Sequence, residues 1–105
     1  MPPSLISQVK KTKTMNEKKI NLKETYAKKL GMRTTAKRIF QDLDDELTVL
    51  ILNFKDVEFM SRSFAQEYVY QKNNSCLQVK EVNMSEFIKG LLNVVEEDYN
   101  ETYGR

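Results

Sequence analysis

The side chains best suited to chemistry lie in one short stretch, Ser61-Arg62-Ser63-Phe64-Ala65-Gln66-Glu67. Two hydroxyls, a guanidinium, an amide and a carboxylate sit within two helical turns of one another. This set suits hydrogen-bonded recognition better than bond-making, because no general base accompanies Glu67. The chain contains no histidine, which removes the commonest base and the commonest zinc ligand. There is no glycine-rich phosphate loop, and no group of residues has the spacing of metal ligands. Asp42, Asp44, Asp45 and Glu46 form an acidic run without the spaced ligands and glycine of a calcium loop, and read as a solvated turn. Cys76, at the start of a strand-like segment, is expected in the core. A non-catalytic protein is expected, with no cofactor and no metal.

The hydroxyl of Ser63 has two readings. Ser63-Phe64-Ala65-Gln66 fits a capping box, in which the serine accepts from the amide of Gln66 and the glutamine side chain reaches back. Capping alone accounts for a serine there, and its loss would cost about 1 kcal/mol. The second reading adds a switch to the cap, with Ser63 modified and Arg62 beside it to pair with the added charge. Glu67 is expected on the flanking surface.

The elements that position this stretch can be read from periodicity. Val49-Leu50-Ile51-Leu52 with Phe54 is a continuous apolar run, which predicts a strand covered on both faces. The polar turn Lys55-Asp56-Val57-Glu58 and Phe59-Met60 follow, then a helix to about Lys72 with Phe64, Ala65, Tyr68 and Val69 inward. A strand that hands the chain to a helix start makes an anion-friendly corner. Upstream, Ala36, Ile39, Phe40 and Leu43 have the i, i+3, i+4, i+7 spacing of an amphipathic helix, with Thr34 or Thr35 as its cap. Ile20 and Leu22 alternate as in a short strand, although Asn21-Leu22-Lys23-Glu24 also fits a helix cap. Downstream, Asn73 or Asn74 is expected to end the second helix in the left-handed conformation. Cys76–Val82 alternates as a strand nearer the sheet edge. Phe87, Ile88, Leu91, Leu92 and Val95 then line a third helix that frays from Glu96. Strand and helix alternate, which predicts an α/β fold with a mostly parallel sheet of three or four strands and about three amphipathic helices.

At 105 residues the chain is long enough for one modest core. The expected organisation is a flexible basic tail over 1–15, with Met15 as an alternative start, a folded domain over 16–100 and a polar end over 101–105. Residues 1–38 carry eleven Lys or Arg against two Glu, a local net of +9, while residues 39–105 carry six against thirteen, a net of −7. The segment Lys10–Arg38 therefore offers an alternative function, binding nucleic acid through phosphate contacts. Tyr26 is the single aromatic among its lysines, so a solvated face is the simpler account. One cysteine excludes an internal disulfide, and no apolar run approaches a membrane span, so a cytoplasmic location is expected.

Leu52–Met60 together with Ser61–Glu67 resembles the STAS-like branch related to anti-sigma-factor antagonists. Gly31-Met32-Arg33-Thr34-Thr35-Ala36-Lys37-Arg38 is similar to the Gly/Arg-containing helix start of that branch, and Ser63, Phe64 and Glu67 match its serine-phenylalanine pair and following glutamate. In anti-sigma-factor antagonists the corresponding loop reads Met-Asp-Ser-Ser-Gly. Met60 matches the methionine and Ser63 the phosphorylated serine, while Ser61, Arg62 and Phe64 stand where the aspartate, first serine and glycine would be. The resemblance implies a small STAS-like regulatory domain of about 16–100 that presents Ser61, Arg62, Ser63, Gln66 and Glu67 to a partner protein. It implies a partner of the GHKL ATPase and kinase class and phosphorylation at Ser63. A phosphate brings about −1.5 to −2 charge. The helix dipole tolerates that charge, so it would act on docking rather than on the fold.

Overall fold

A computed structural model of the chain describes residues 16–104; the expected tail over 1–15 and the start at Met15 lie outside the described residues. Strand β1 (Glu17–Asn21) runs into a single helical turn, α1 (Leu22–Thr25), so the two readings of this segment are both realised, one after the other. Asn21 makes the change by accepting a hydrogen bond from the Glu24 amide at 3.2 Å. A two-residue strand, β2 (Lys29–Leu30), precedes helix α2 (Arg33–Gln41). The apolar run forms β3 (Val49–Asn53), and Phe59–Met60 forms the short β4. Helix α3 (Arg62–Asn73), strand β5 (Gln78–Val82) and helix α4 (Glu86–Tyr103) complete the order. No helix among the described residues is long and apolar enough to cross a membrane.

The main sheet is wholly parallel, in the order β1-β3-β5, with β3 in the centre. Its strand order never reverses. Two crossovers of the usual right hand that step the same way across a sheet deliver their helices to the same face. Leu50, Leu52 and Ile20 on that face enter one core with Ala36 and Ile39 of α2, Phe64, Ala65, Tyr68 and Val69 of α3, and Ile88, Leu92 and Val95 of α4. The opposite face carries the register rows Glu17·Val49·Gln78, Lys19·Ile51·Lys80 and Asn21·Asn53·Val82. Glu17, Lys19, Gln78, Lys80 and Val82 on it are exposed, and Ile51 is half-buried. Val49 on the same face is buried, so among the described residues β3 is covered fully on its helical face and only in part on the other, against the expectation of cover on both. The central position of β3 between two neighbours, rather than a second helical layer, accounts for its apolar run.

A further short strand precedes Arg33, but it does not join the main sheet. Lys29 and Leu30 pair in parallel with Phe59 and Met60 as a second, two-stranded sheet. Glu58 donates its amide to the Lys28 carbonyl at 2.8 Å and Ser61 donates its amide to Leu30 at 2.9 Å, extending this ladder at both ends. The turn feeding β4 closes through the Val57 amide and the Phe54 carbonyl at 3.0 Å, with Asp56 at φ 64°. Asparagine and aspartate tolerate this left-handed region better than most residues, and Asn83 (φ 61°) uses it after β5.

Several helix ends differ from expectation. α2 is preceded by Met32, which provides no side-chain cap, and neither Thr34 nor Thr35 takes that role. α3 ends on Asn74 at φ −103°, not in the left-handed region. The side-chain amides of Asn73 and Asn74 donate to the Val69 and Tyr70 carbonyls (2.9 and 2.8 Å), so the terminal carbonyls are satisfied without that conformation. Helix α4 continues to Tyr103 instead of fraying from Glu96. Phe87 is 53% exposed despite its place in the apolar pattern, and Cys76 lies exposed in the turn before β5, not in the core.

Candidate functional site

Helix α3 starts two residues earlier than the capping-box pattern suggests. Ser61 is the cap: its Oγ accepts from the Phe64 amide at 3.0 Å and donates to the Gly31 carbonyl at 2.8 Å. Ser63 falls in the first turn with its side chain exposed, and makes no side-chain hydrogen bond among the described residues. Capping by Ser63 with Gln66 is thus replaced by capping by Ser61. The deciding contact is the carbonyl of Gly31, thirty residues away in sequence, at the end of the β2 strand that pairs with β4.

The five expected site residues divide into two groups. Arg62, Ser63 and Gln66 are exposed at the helix start, with the Arg62 guanidinium donating to the Asp98 carboxylate of α4 at 2.9 Å. Both members of that pair are more than half exposed, so it contributes between zero and about 1 kcal/mol. Ser61 and Glu67 are committed to the fold. Glu67, expected on the surface, is buried: its side chain is 10% exposed. One carboxylate oxygen accepts from the Arg33 guanidinium at 3.3 Å and the other from the Gln71 side-chain amide at 2.7 Å. Burying a carboxylate is costly unless its lone pairs are satisfied, and here a charge-assisted bond and an amide supply that need. The pairing partner Gln71 stands at i+4 from Glu67, a spacing visible in the sequence. Arg33 could be found only through the packing of α2 on α3.

Gln66, Glu67 and Arg33 line an open cavity of about 360 Å³ between α3 and the C-terminal half of α4, together with the aromatic side chains of Tyr70, Tyr99 and Tyr103. The rings of Tyr99 and Tyr103 lie 4.8 Å apart. Sequence reading missed these tyrosines because a helix expected to fray at Glu96 would not have carried them past α3.

A second polar cluster supports the site from below. Glu81 of β5 points to the helical face of the sheet, where Tyr68 donates its hydroxyl and Lys72 its ammonium at 3.1 Å. Lys72 also pairs with Glu96 of α4 and lies 5.3 Å from the centre of the Tyr68 ring. Burial, then the Glu81 charge and hydrogen bond, push the Tyr68 hydroxyl well above the ordinary tyrosine pKa. Burial alone would lower the Lys72 pKa, but the bonds and charges of Glu96 and Glu81 outweigh it and leave the pKa raised. The cluster therefore joins β5, α3 and α4.

The described part of the basic segment Lys10–Arg38 is spread over several elements. Lys18 and Lys19 lie on opposite faces of β1, and Lys23, Lys28, Lys29, Lys37 and Arg38 follow on α1, the connection to β2, β2 itself and α2, all exposed. No protein-family model, curated protein or solved structure matches the chain.

Proposed function

We propose that this chain is a non-catalytic STAS-like regulatory domain that docks a partner protein on the start of α3 and the cavity beside it. One observation carries the reading. Arg62, Ser63 and Gln66 face solvent together on a helix start that is tied down from behind, through Ser61 to Gly31 and through Glu67 to Arg33. A polar surface held this way loses little conformational freedom on binding, which favours recognition. The partner is a protein of the GHKL ATPase and kinase class, and the domain works in the cytoplasm. Phosphorylation of Ser63 would put a dianion one residue from Arg62, in competition with Asp98 for the guanidinium.

The test is affinity capture of the tagged full chain in its native host, followed by binding measurements with the recovered partner. Ser63→Asp, Arg62→Ala and Gln66→Ala alter exposed side chains, so each should melt like wild type within about 0.5 kcal/mol. Each is expected to weaken partner binding by at least roughly tenfold, about 1.4 kcal/mol. Full binding by all three variants would remove the proposal.

A further inference from the structure

The cavity between α3 and α4 presents aromatic rings and carboxylates that the exposed helix start does not use. Tyr70 reaches it from α3, and Tyr99 and Tyr103 from α4, beside the carboxylates of Glu67 and Asp98. The rings are accessible: Tyr70 is 46% and Tyr103 62% exposed, and Tyr99 is half-buried. Tyr70 stacks on no other ring among the described residues, and Tyr99 and Tyr103 are tilted at 42° to one another. The buried Val69 and Val95 supply the apolar part of the lining. At about 360 Å³ the cavity is at the small end of ligand sites.

Charge selects the occupant. One wall is the C-terminal end of an 18-residue helix, the negative pole of its macrodipole. A helix end of this kind favours basic residues, yet α4 has none in its last turn and carries Glu96, Glu97, Asp98 and Glu101 instead. Lys72 offsets Glu96 and Arg62 offsets Asp98, while Glu97 and Glu101 have no ion pair among the described residues. Arg33 also lines the cavity, but its guanidinium is engaged by Glu67. With these pairs cancelled, the remaining charge is negative. Asp98 meets Arg62 through Oδ2, and its Oδ1 accepts no hydrogen bond among the described residues.

We infer that the cavity receives an arginine side chain of the docked partner, with the guanidinium against the tyrosine rings and hydrogen-bonded to Asp98. The inference rests on the docking reading and names the group that enters beside the helix start. A ring face attracts a cation placed within about 6 Å of its centre. A planar guanidinium stacks on such a face, forks to a carboxylate and sheds water more readily than an ammonium, so arginine suits this wall better than lysine. Its methylene stem can cover the valines while the charged head stays at the open side. An anionic occupant would meet the negative excess, and a neutral one would leave it unanswered.

The experiment is an NMR titration of the full chain with blocked glycine peptides whose central residue is arginine, its neutral isostere citrulline, or lysine. The arginine peptide is expected to bind in the millimolar range and to shift the ring signals of Tyr70, Tyr99 and Tyr103. It should bind at least about tenfold more tightly than the citrulline peptide and at least about threefold more tightly than the lysine peptide. Asp98→Asn and Tyr103→Ala, both at exposed positions, are expected to weaken it by at least about threefold while melting close to wild type. Phe87→Ala, on the same helix but outside the cavity, is expected to leave binding unchanged. Equal binding of the citrulline or lysine peptide overturns the inference, as does arginine binding indifferent to Asp98→Asn and Tyr103→Ala. The titration needs no partner, which keeps the two readings apart. A partner docked through Arg62, Ser63 and Gln66 on a chain blind to the arginine peptide sinks the cavity occupant alone. An arginine peptide seated on the tyrosines of a chain that captures no such partner upholds the cavity site and sinks the docking reading alone.

Discussion

Ser61 and Ser63 make a sharp pair for testing how helix α3 is built. In Ser61→Ala the Phe64 amide loses its 3.0 Å acceptor and the Gly31 carbonyl its 2.8 Å donor. Loss of a serine cap costs about 1 kcal/mol. The second bond adds about 0.5 kcal/mol, at the low end for a hydrogen bond because Gly31 is exposed and water can replace the donor. The sum, about 1.5 kcal/mol, corresponds to a drop of roughly 6–12 °C in Tm for a domain of this size. Ser63→Ala removes an exposed hydroxyl and should change stability by less than about 0.5 kcal/mol. Urea denaturation followed by circular dichroism reads both, and an unchanged m value confirms that the comparison concerns the native state. If Ser63→Ala proves the more damaging of the two, the cap has been placed on the wrong serine, and the exposed docking surface goes with it.

Three further outcomes follow from the same geometry. Glu67→Ala should cost about 1–2 kcal/mol in urea unfolding, since the half-exposed Arg33 regains water while Gln71 loses its acceptor; a neutral result would show that the ion pair does not hold α2 to α3. Stability should fall as pH rises from about 10. The unfolded chain ionises tyrosine near the ordinary 10.0 and lysine near 10.5, ahead of the raised folded values of Tyr68 and Lys72, so their contributions are full below the unfolded values and are lost as pH rises through the folded ones. Tyr68→Phe should flatten the first part of that decline in melts taken between pH 8 and 11. Leu52→Ala, on the helical face, should cost about 2–5 kcal/mol, whereas Ile51→Thr on the open face should cost about 1 kcal/mol or less by chemical denaturation. Equal costs at the two positions would mean that both faces of β3 are covered.

Local patterns carried the α/β order well, because periodicity reports how each segment meets the core. The i, i+3, i+4, i+7 set of α2 and the stripe Phe64, Ala65, Tyr68 and Val69 of α3 lead to elements present in the fold. Sheet coverage was less legible. Val49 is buried and Ile51 half-buried even though no helix from the shared core covers their face, so the run looks like a strand sandwiched on both sides. Only strand order, a property of the whole topology, tells the two cases apart. The cap was ambiguous for a similar reason. Ser61 and Ser63 both stand before an apolar helical stripe, and the choice rests on Gly31 in a different crossover. Glu67 gave no sign of burial because its chief partner, Arg33, comes from α2. Phe87 misled in the opposite direction: its spacing is that of a core residue, yet its ring stacks on Phe59 near the surface.

The small β2–β4 ladder has a mechanical meaning beyond its four residues. It sets the beginnings of α2 and α3 side by side, the Ser61 hydroxyl latches one to the other, and the Arg33–Glu67 pair rivets them again a turn further on. The two helix starts are thereby tied to one another at three points. A load applied at Ser63 would be felt at once along α2, on the far side of the domain from α4.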